Sequence, residues 1–138
     1  MPNENREMVS KEDLLGQLSI IFFYPKDGSP GCTVESCGFR DKHEQIVKAG
    51  GKLYGVSQDG VTSHQNFKKA HKLPYMLLSD RKGEVAKKLK LKKTLGLLRT
   101  RVTLIVDKQG IIQGTHTSQF NPYGHIKFSI KLLNKLSS

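Results

Sequence analysis

Cys32 and Cys37 are the two cysteines of the chain, and their positions suit them to covalent chemistry. An apolar run, 18–24, leads into a turn rich in proline, glycine and serine, and Cys32 directly follows that turn. We expect the turn to deliver Cys32 to the start of a helix that also carries Cys37. The free N–H groups and the dipole at a helix N-terminus favour a thiolate. The pattern therefore indicates a redox or nucleophilic function.

The spacing of the two thiols decides which redox chemistry they can perform. If both residues are helical, five residues place the side chains roughly 140° apart and the Cα atoms about 8–9 Å apart. A disulfide needs Cα atoms within about 7 Å, so the helix must partly unwind before Cys32 and Cys37 can join. Such a design suits a thiolate that becomes a sulfenic acid and is then resolved by a neighbouring thiol. The enzymatic alternative is a protein disulfide oxidoreductase. Such an enzyme needs two cysteines close enough to form a disulfide with little rearrangement, which makes the wide spacing here unfavourable for it.

Two further interpretations of the thiols fit the sequence less well. The two cysteines could be structural and act as small apolar residues. This interpretation would account for Cys37, but it does not explain why Cys32 lies at a helix N-terminus. A zinc site needs two more ligands, and the histidines show no paired ligand spacing. We therefore expect no metal and no cofactor, and we expect the histidines to be ordinary surface or half-buried residues. They are His43, His64, His71, His116 and His125.

The formal net charge of +11 raises an alternative of a different class. Much of the charge lies between Arg81 and Arg101, which would suit a nucleic-acid-associated protein whose thiols serve only for sensing. No aromatic residues interleave with the lysines, and no zinc-finger or RNA-binding signature accompanies them. We expect a solvated basic surface and no nucleic-acid partner. The basic residues of the segment include Lys82, Lys87, Lys88, Lys90, Lys92, Lys93 and Arg99.

The bulk properties predict one soluble globular domain over 1–138. The chain has 138 residues and a hydrophobic content of 36%, which is enough to bury a core without the help of disulfides or metal ions. Its longest apolar run is too short to cross a bilayer, and no leader-like segment precedes that run. We expect no membrane partner and a cytoplasmic, reducing compartment, where free thiols persist.

Strands and helices are expected to alternate along the chain. A polar lead-in over 1–17 should hold one helical turn capped by Ser10, and Ser29 should cap the first long helix with Pro30 at its first position. The expected strands are 19–24, 52–57, 76–79, 101–106 and 111–115, and the expected helices are 30–48, 63–71 (started by Thr62 or Ser63), 84–91 and 123–136. This order predicts the α/β class, with a thioredoxin-like fold whose central mixed β-sheet is flanked by helices on both faces.

The run from Tyr24 to Thr33, Tyr-Pro-Lys-Asp-Gly-Ser-Pro-Gly-Cys-Thr, resembles the active-site segment of the peroxiredoxin Q group, also called bacterioferritin comigratory proteins. The similarity continues through 37–41, 55–57, 73–75, 77–80 and 101–110, so it covers nearly the whole chain in order. It implies an atypical two-cysteine thiol peroxidase that requires no metal, haem or nucleotide.

The resemblance implies a role for each of five residues. Cys32 would attack the peroxide O–O bond, and Cys37 would resolve the sulfenic acid as an intramolecular disulfide. Arg101 would hold the thiolate and hydrogen-bond the peroxide oxygens, Ser29 would donate to either, and Pro25 would shield the thiolate from water. The implied partners are hydrogen peroxide or an organic hydroperoxide, and thioredoxin or a similar dithiol reductant. We expect a monomer or a weak homodimer.

The chain departs from the family pattern in two places. Ser29 stands where most relatives have threonine, which keeps the hydroxyl but loses the methyl group that restricts its rotamer. We expect activity to survive with a less fixed donor. The similarity begins near Pro2, without the N-terminal β-hairpin of the relatives, so we expect this first strand to be missing, with consequences for edge protection, stability and self-association.

Overall fold

A computed structural model describes residues 1–89, 93–94, 98–99, 101–118 and 121–137 of the chain. After a 3-10 turn at Lys11–Leu14, the elements are β1 (Leu18–Phe23), α1 (Pro30–Lys48), β2 (Gly51–Ser57), α2 (Val61–His71), β3 (Met76–Ser79), α3 (Glu84–Lys88), β4 (Lys93–Thr94), β5 (Leu98–Arg99), β6 (Val102–Val106), β7 (Ile112–Thr117) and α4 (Pro122–Ser137). Within these ranges no helix has both the length and the apolarity needed to cross a bilayer.

Five strands form one mixed sheet in the order β3-β2-β1-β6-β7, and β4 pairs with β5 separately. The strands β1, β2 and β3 are parallel, whereas β6 runs antiparallel to both β1 and β7. All six residues of β1 are buried, as expected for a central strand covered on both faces. The continuous apolar run in the sequence is therefore explained by the position of β1 in the middle of the sheet.

Alternate residues of β1 point into two separate hydrophobic clusters. Ile20 and Phe22 join the larger cluster, which α1, α2 and α4 cover. Ile21 and Phe23 join the smaller one on the opposite face, where α3 and apolar side chains of the N-terminal segment pack. The expected mixed sheet with helices on both faces is confirmed, and the three long helices share one face.

The element boundaries differ from the expectation at two helices. Gly60 adopts an extended N-cap conformation, so α2 begins at Val61 and not at Thr62 or Ser63. The short helix α3 ends at Lys88 instead of continuing to Leu91. Residues 90–92 of the basic segment lie outside the described residues, and the short β4–β5 pair was not predicted.

The N-terminal segment folds onto the domain more closely than its polar sequence suggests. Pro2 and Met8 form an isolated antiparallel bridge, and the Ser79 N–H donates to the Pro2 carbonyl. Glu4 is buried, where its carboxylate pairs with Lys68 and accepts a hydrogen bond from the Leu77 N–H. The polar residues near the start of the chain are thus fixed by partners from α2 and β3.

Candidate active site

The first turn of α1 holds Cys32 in a buried position. Ser29 is the N-cap residue and Pro30 the first helical residue, as the sequence predicts. The first helical hydrogen bond runs from the Thr33 N–H to the Ser29 carbonyl. The N–H groups of Gly31 and Cys32 precede it, so they remain available to a ligand. The Cys32 side chain has no exposed surface, and its sulfur is a free thiol.

Arg101 lies directly beside the Cys32 sulfur. Its Nη1 is 3.0 Å from Cys32 Sγ, so the guanidinium can donate a charge-assisted hydrogen bond to this sulfur when it is a thiolate. The strand register explains the approach, because Phe23 pairs with Val102 at the point where β1 ends. The residue before Val102 therefore lies at the same sheet edge as the turn that begins α1.

Gly31 leaves the space that the Arg101 guanidinium occupies. A Cβ atom at Gly31 would collide with Nη2 of that side chain. The backbone of Gly31 has no positive φ angle, so close approach and not backbone conformation requires glycine here. Sequence reasoning treated Gly31 only as part of a turn.

Glu35 is a further buried residue of the site that sequence reasoning missed. Its Oε1 is 3.4 Å from Arg101 Nη1, and its side chain has no exposed surface. Burial raises the pKa of Glu35 to about 8, although Arg101 acts in the opposite direction. Burial thus favours the neutral acid form of Glu35, which competes less with the Cys32 sulfur for the Arg101 charge than a carboxylate would. The signal for Glu35 was its spacing, because residues i and i+3 share a helix face.

His125 of α4 closes the far side of this buried group. Its Nε2 is 2.7 Å from the Ser118 carbonyl oxygen, which can only accept, so Nε2 carries the proton. Burial lowers the pKa of His125 to about 4, so the ring is neutral and Nδ1 accepts from the Thr103 hydroxyl at 2.8 Å. The 3.8 Å approach of Nδ1 to Glu35 Oε2 is consequently not an ion pair.

The other two expected catalytic residues lie in the turn between β1 and α1. The Ser29 hydroxyl donates to the Lys26 carbonyl at 3.1 Å and makes no side-chain cap to the helix. This differs from the expected capping bond, because the turn offers the hydroxyl a nearby acceptor. Pro25 is half-buried in the same turn. The structure thus brings Cys32 and Arg101 together, while the Ser29 hydroxyl points to the backbone of the turn.

A buried cluster around Asp27 fixes the conformation of this turn. The Asp27 carboxylate accepts hydrogen bonds from the hydroxyls of Tyr24, at 2.6 Å, and Ser63, at 2.8 Å. It also lies 2.6 Å from Nδ1 of His64, whose Nε2 donates to the Leu78 carbonyl. The cluster therefore ties the active-site turn to α2 and β3.

Two histidines differ from the expectation of surface or half-buried positions. His64 and His125 have no exposed surface. Each is tolerated in the interior because both of its ring nitrogens have a hydrogen-bonding partner. Sequence spacing could not reveal this, because the partners come from distant segments of the chain.

Cys37 lies further along the same unbroken helix as Cys32. It is half-buried and is a free thiol. Since α1 runs from Pro30 to Lys48, helical geometry separates the Cα atoms of the two cysteines by about 8–9 Å. The Tyr75 hydroxyl donates to the Ser36 carbonyl at 2.7 Å and so anchors the helix between the two thiols.

No metal centre is evident in the part of the chain that the structure describes. Within it, no three or more His, Cys, Asp or Glu side chains are grouped so as to hold an ion.

Comparison with known proteins gives a consistent family assignment. A model of the AhpC/TSA family matches residues 1–115. The chain is 39% identical over 135 residues to peroxiredoxin Q, chloroplastic, of Oryza sativa subsp. japonica, covering 97% of the chain and 62% of the rice protein. It is 42% identical over 120 residues to a putative peroxiredoxin bcp of Coxiella burnetii, covering 81% of the chain and 78% of that protein. The chain thus spans less than two thirds of the rice protein.

Solved structures share the fold over the whole chain. Peroxidoxin BcpB from Mycobacterium tuberculosis is similar with a TM-score of 0.91 and 28% identity, covering 100% of this chain and 92% of that one. Peroxiredoxin Q from Xanthomonas campestris is similar with a TM-score of 0.91 and 26% identity. The match covers 99% of this chain and 90% of that one. Structures of the Xanthomonas bacterioferritin comigratory protein address its alkyl peroxide reduction activity.

Proposed function

The chain belongs to the AhpC/TSA family, in its peroxiredoxin Q group, and we propose that it is a thiol peroxidase acting through Cys32. The observation that carries the proposal is the 3.0 Å contact between Arg101 Nη1 and Cys32 Sγ at a helix N-terminus. Hydrogen peroxide and organic hydroperoxides are the proposed substrates. The alkyl peroxide reduction of the Xanthomonas relative supports the organic class.

The first step is nucleophilic attack of the Cys32 thiolate on one oxygen of the peroxide. The S–O bond forms as the O–O bond breaks, so Cys32 becomes a sulfenic acid. The departing hydroxide or alkoxide takes up a proton and leaves as water or an alcohol, respectively. Negative charge moves from sulfur to the departing oxygen during this step. Arg101 and the N–H groups of Gly31 and Cys32 are positioned to stabilise that charge.

Ser29 and Pro25 would assist the attack from the turn between β1 and α1. The Ser29 hydroxyl can leave the Lys26 carbonyl by rotation about χ1 and donate to the peroxide, since serine lacks the methyl group that would restrict it. Pro25 would limit the access of water to the thiolate. The Asp27 cluster supports both roles because it fixes the turn that carries them.

The second step joins Cys37 to the oxidised Cys32. The Cys37 sulfur attacks the sulfenic acid, a disulfide forms and water leaves. The two Cα atoms are too far apart for a disulfide while α1 is intact. The first turns of α1 therefore unwind during each cycle, and the Tyr75–Ser36 hydrogen bond is broken in that movement.

The disulfide returns to two thiols by exchange with an external dithiol, for which thioredoxin or a similar protein is the proposed reductant. Exchange transfers the disulfide to the reductant, so the electrons for peroxide reduction come from that dithiol. A reducing compartment such as the cytoplasm would supply it. Peroxide turnover coupled to thioredoxin and its reductase tests activity and reductant together.

The nucleophile is tested by stopped-flow consumption of hydrogen peroxide. Wild type should react rapidly, Cys32→Ser should lose the reaction, and Cys37→Ser should keep the first turnover. Equal rates for wild type and Cys32→Ser would overturn the proposal.

The resolving step is tested by mass spectrometry after one equivalent of peroxide. The wild type should lose two hydrogen atoms, whereas Cys37→Ser should gain oxygen on Cys32. Normal recycling of Cys37→Ser by thioredoxin would remove Cys37 from the mechanism.

A further inference from the structure

An open groove of about 440 Å³ lies at the start of α2, and its lining includes none of the five proposed catalytic residues. Its walls come from the N-terminal segment, the first turn of α2 and the end of β3. The polar side chains that line it are those of Arg6, Thr62, Ser63, Ser79 and Arg81. The peroxidase mechanism proposed above uses none of these side chains to bind peroxide.

The first turn of α2 offers a set of uncapped backbone donors to the groove. Gly60 is the N-cap residue and provides no side-chain cap. The first helical hydrogen bond runs from the His64 N–H to the Gly60 carbonyl, so the N–H groups of residues 61–63 precede it. Three N–H donors at the positive end of a helix form a favourable place for an anion.

The Ser79 hydroxyl provides a second, independent indication of a ligand-binding site. Ser79 is only 3% exposed, and its hydroxyl has no hydrogen-bonding partner among the described residues. By strand alternation Ser79 shares a sheet face with Leu77, which belongs to the cluster that α2 covers. A buried, unpaired hydroxyl is costly, and a ligand oxygen in the groove would satisfy it.

Two arginines, Arg6 and Arg81, line the groove at this helix end. Nη1 of Arg81 lies 2.5 Å from the position that a Cβ on Gly60 would take, so the guanidinium rests against the N-cap. Neither Arg81 nor Arg6 forms an ion pair within the described residues. The neighbouring Asp80 carboxylate accepts hydrogen bonds from two N–H groups of α3, and Oδ2 of Asp59 accepts from the Asp27 N–H and the Ser57 hydroxyl. A guanidinium beside the positive end of a helix is repelled unless an anion lies between them.

We propose that this groove binds a phosphate group, held by Arg81, Arg6, the Ser79 hydroxyl and the N-terminus of α2. Arginine recognises phosphate oxygens through paired hydrogen bonds, and helix N-termini bind phosphate through backbone N–H groups. One water occupies about 30 Å³ of liquid, so the groove has room for a small phosphomonoester as well as for inorganic phosphate.

Calorimetric titration of the reduced, full chain with inorganic phosphate and with glycerol 3-phosphate tests the proposal. Both titrations are compared with sodium chloride at equal ionic strength. Saturable binding of phosphate, with amide shifts at residues 61–63 in NMR spectra, is the expected result. Tighter binding of the ester identifies a phosphomonoester as the ligand, and equal binding identifies the phosphate group alone. Heats and shifts identical to those with chloride would overturn the proposal.

Variants distinguish a built site from a general attraction by the +11 charge. Arg81→Met should weaken phosphate binding roughly tenfold or more, whereas Lys82→Met removes the same charge from a neighbouring residue outside the groove and should change it by less than about twofold. Gly60→Ala keeps every charge but displaces the Arg81 guanidinium, so it should also weaken binding. Ser79→Ala removes a hydroxyl that has no hydrogen-bonding partner among the described residues. It should therefore weaken phosphate binding without destabilising the fold. If Arg81→Met and Lys82→Met weaken binding equally, the groove is not a phosphate site.

This test is independent of the peroxidase proposal. Binding is measured directly, without peroxide, and it can be repeated in Cys32→Ser. Failure of phosphate binding leaves the chemistry of Cys32 untouched, and loss of peroxidase activity has no bearing on the calorimetric result.

Discussion

At the scale of single residues, Gly31 determines how closely Arg101 can approach Cys32. Gly31→Ala is compatible with the helical backbone and should even favour the helix by roughly 0.5–1 kcal/mol. Its Cβ would nevertheless displace the Arg101 guanidinium. Losing one well-placed hydrogen-bond donor to a developing charge slows a reaction on the order of 10²–10³-fold. We therefore expect a folded protein that reacts more slowly with peroxide. Stopped-flow rates together with thermal unfolding measure both effects.

Val34→Ala is the control for Gly31→Ala, since Val34 is exposed on the same part of α1. It should leave the peroxide rate near that of wild type. A Gly31→Ala protein that consumes peroxide at the wild-type rate would show that the observed position of Arg101 is not needed.

Individual residues of the site differ in how far the sequence could predict them. Cys32 and Arg101 were predicted from the turn and from the family motif, and the structure brings them into contact. Glu35 resembles any other glutamate in a helix, and only its spacing from Cys32 could have singled it out. His125 reaches the site through the packing of α4 on α1, which no local pattern encodes. The roles of Ser29 and Pro25 stay predictions.

At the scale of elements, α1 has to be stable enough to hold Cys32 and weak enough to unwind. Tyr75 anchors it through the Ser36 carbonyl between the two thiols. Tyr75→Phe removes a hydrogen bond worth about 1 kcal/mol, present only while the helix is wound. We expect disulfide formation after peroxide to become up to about fivefold faster, measured by rapid quench and mass spectrometry.

Tyr123→Phe is the matched control, because Tyr123 is largely exposed in the first turn of α4. It should leave the rate of disulfide formation unchanged. A Tyr75→Phe protein that forms the disulfide at the wild-type rate would place the rate-limiting movement outside this part of α1.

The turn before α1 depends on the buried Asp27 cluster. Asp27→Ala leaves His64 without its carboxylate partner and removes the acceptor of two hydroxyls. Removing one member of such a buried pair typically costs 3–5 kcal/mol, and we expect a loss of that order in urea unfolding. Asp41→Ala, which removes an exposed carboxylate paired with Arg40, should cost no more than about 1 kcal/mol. Similar losses for the two variants would argue against the cluster as a fixed support.

The elements themselves were largely predictable, and their ends were less so. The apolar run of β1 and the Ser-Pro start of α1 are strong local signals, and both elements lie where the sequence indicated. The start of α2 was misplaced because Gly60, which has no side-chain cap, is the N-cap residue. Polar candidates at Thr62 and Ser63 therefore gave the stronger but wrong signal.

At the scale of the whole molecule, strand alternation predicts the sheet but not which face each helix covers. The two-sided burial of β1 required covering layers on both faces. Long-range packing decides which layer covers which face. The helices α1, α2 and α4 share one face, and the N-terminal segment helps to cover the other. The burial of Glu4 against Lys68 likewise joins residues more than sixty positions apart.

Global stability should depend on pH through two buried groups with opposite effects. Burial lowers the pKa of His125 from 6.5 to about 4, so the unfolded chain binds the extra proton between these values and stability falls as the pH decreases. Burial raises the pKa of Glu35 from 4.5 to about 8, so the native state binds the extra proton between these values and stability falls as the pH rises. Of these two groups, only Glu35 contributes between pH 6.5 and 8.

Glu35→Gln isolates the contribution of the carboxyl group, since glutamine cannot ionise. The free energy of unfolding of wild type, relative to that of Glu35→Gln, should decrease by about 1.4 kcal/mol per pH unit within the window from 4.5 to 8. Below that window the difference between the two proteins should level off, because Glu35 is then protonated in both states of the wild type. Urea unfolding at pH 5, 6.5 and 8 measures this difference and cancels the contribution of His125. A difference that does not change with pH would mean that Glu35 is ionised in the native protein, in which case its carboxylate would share the Arg101 charge with Cys32.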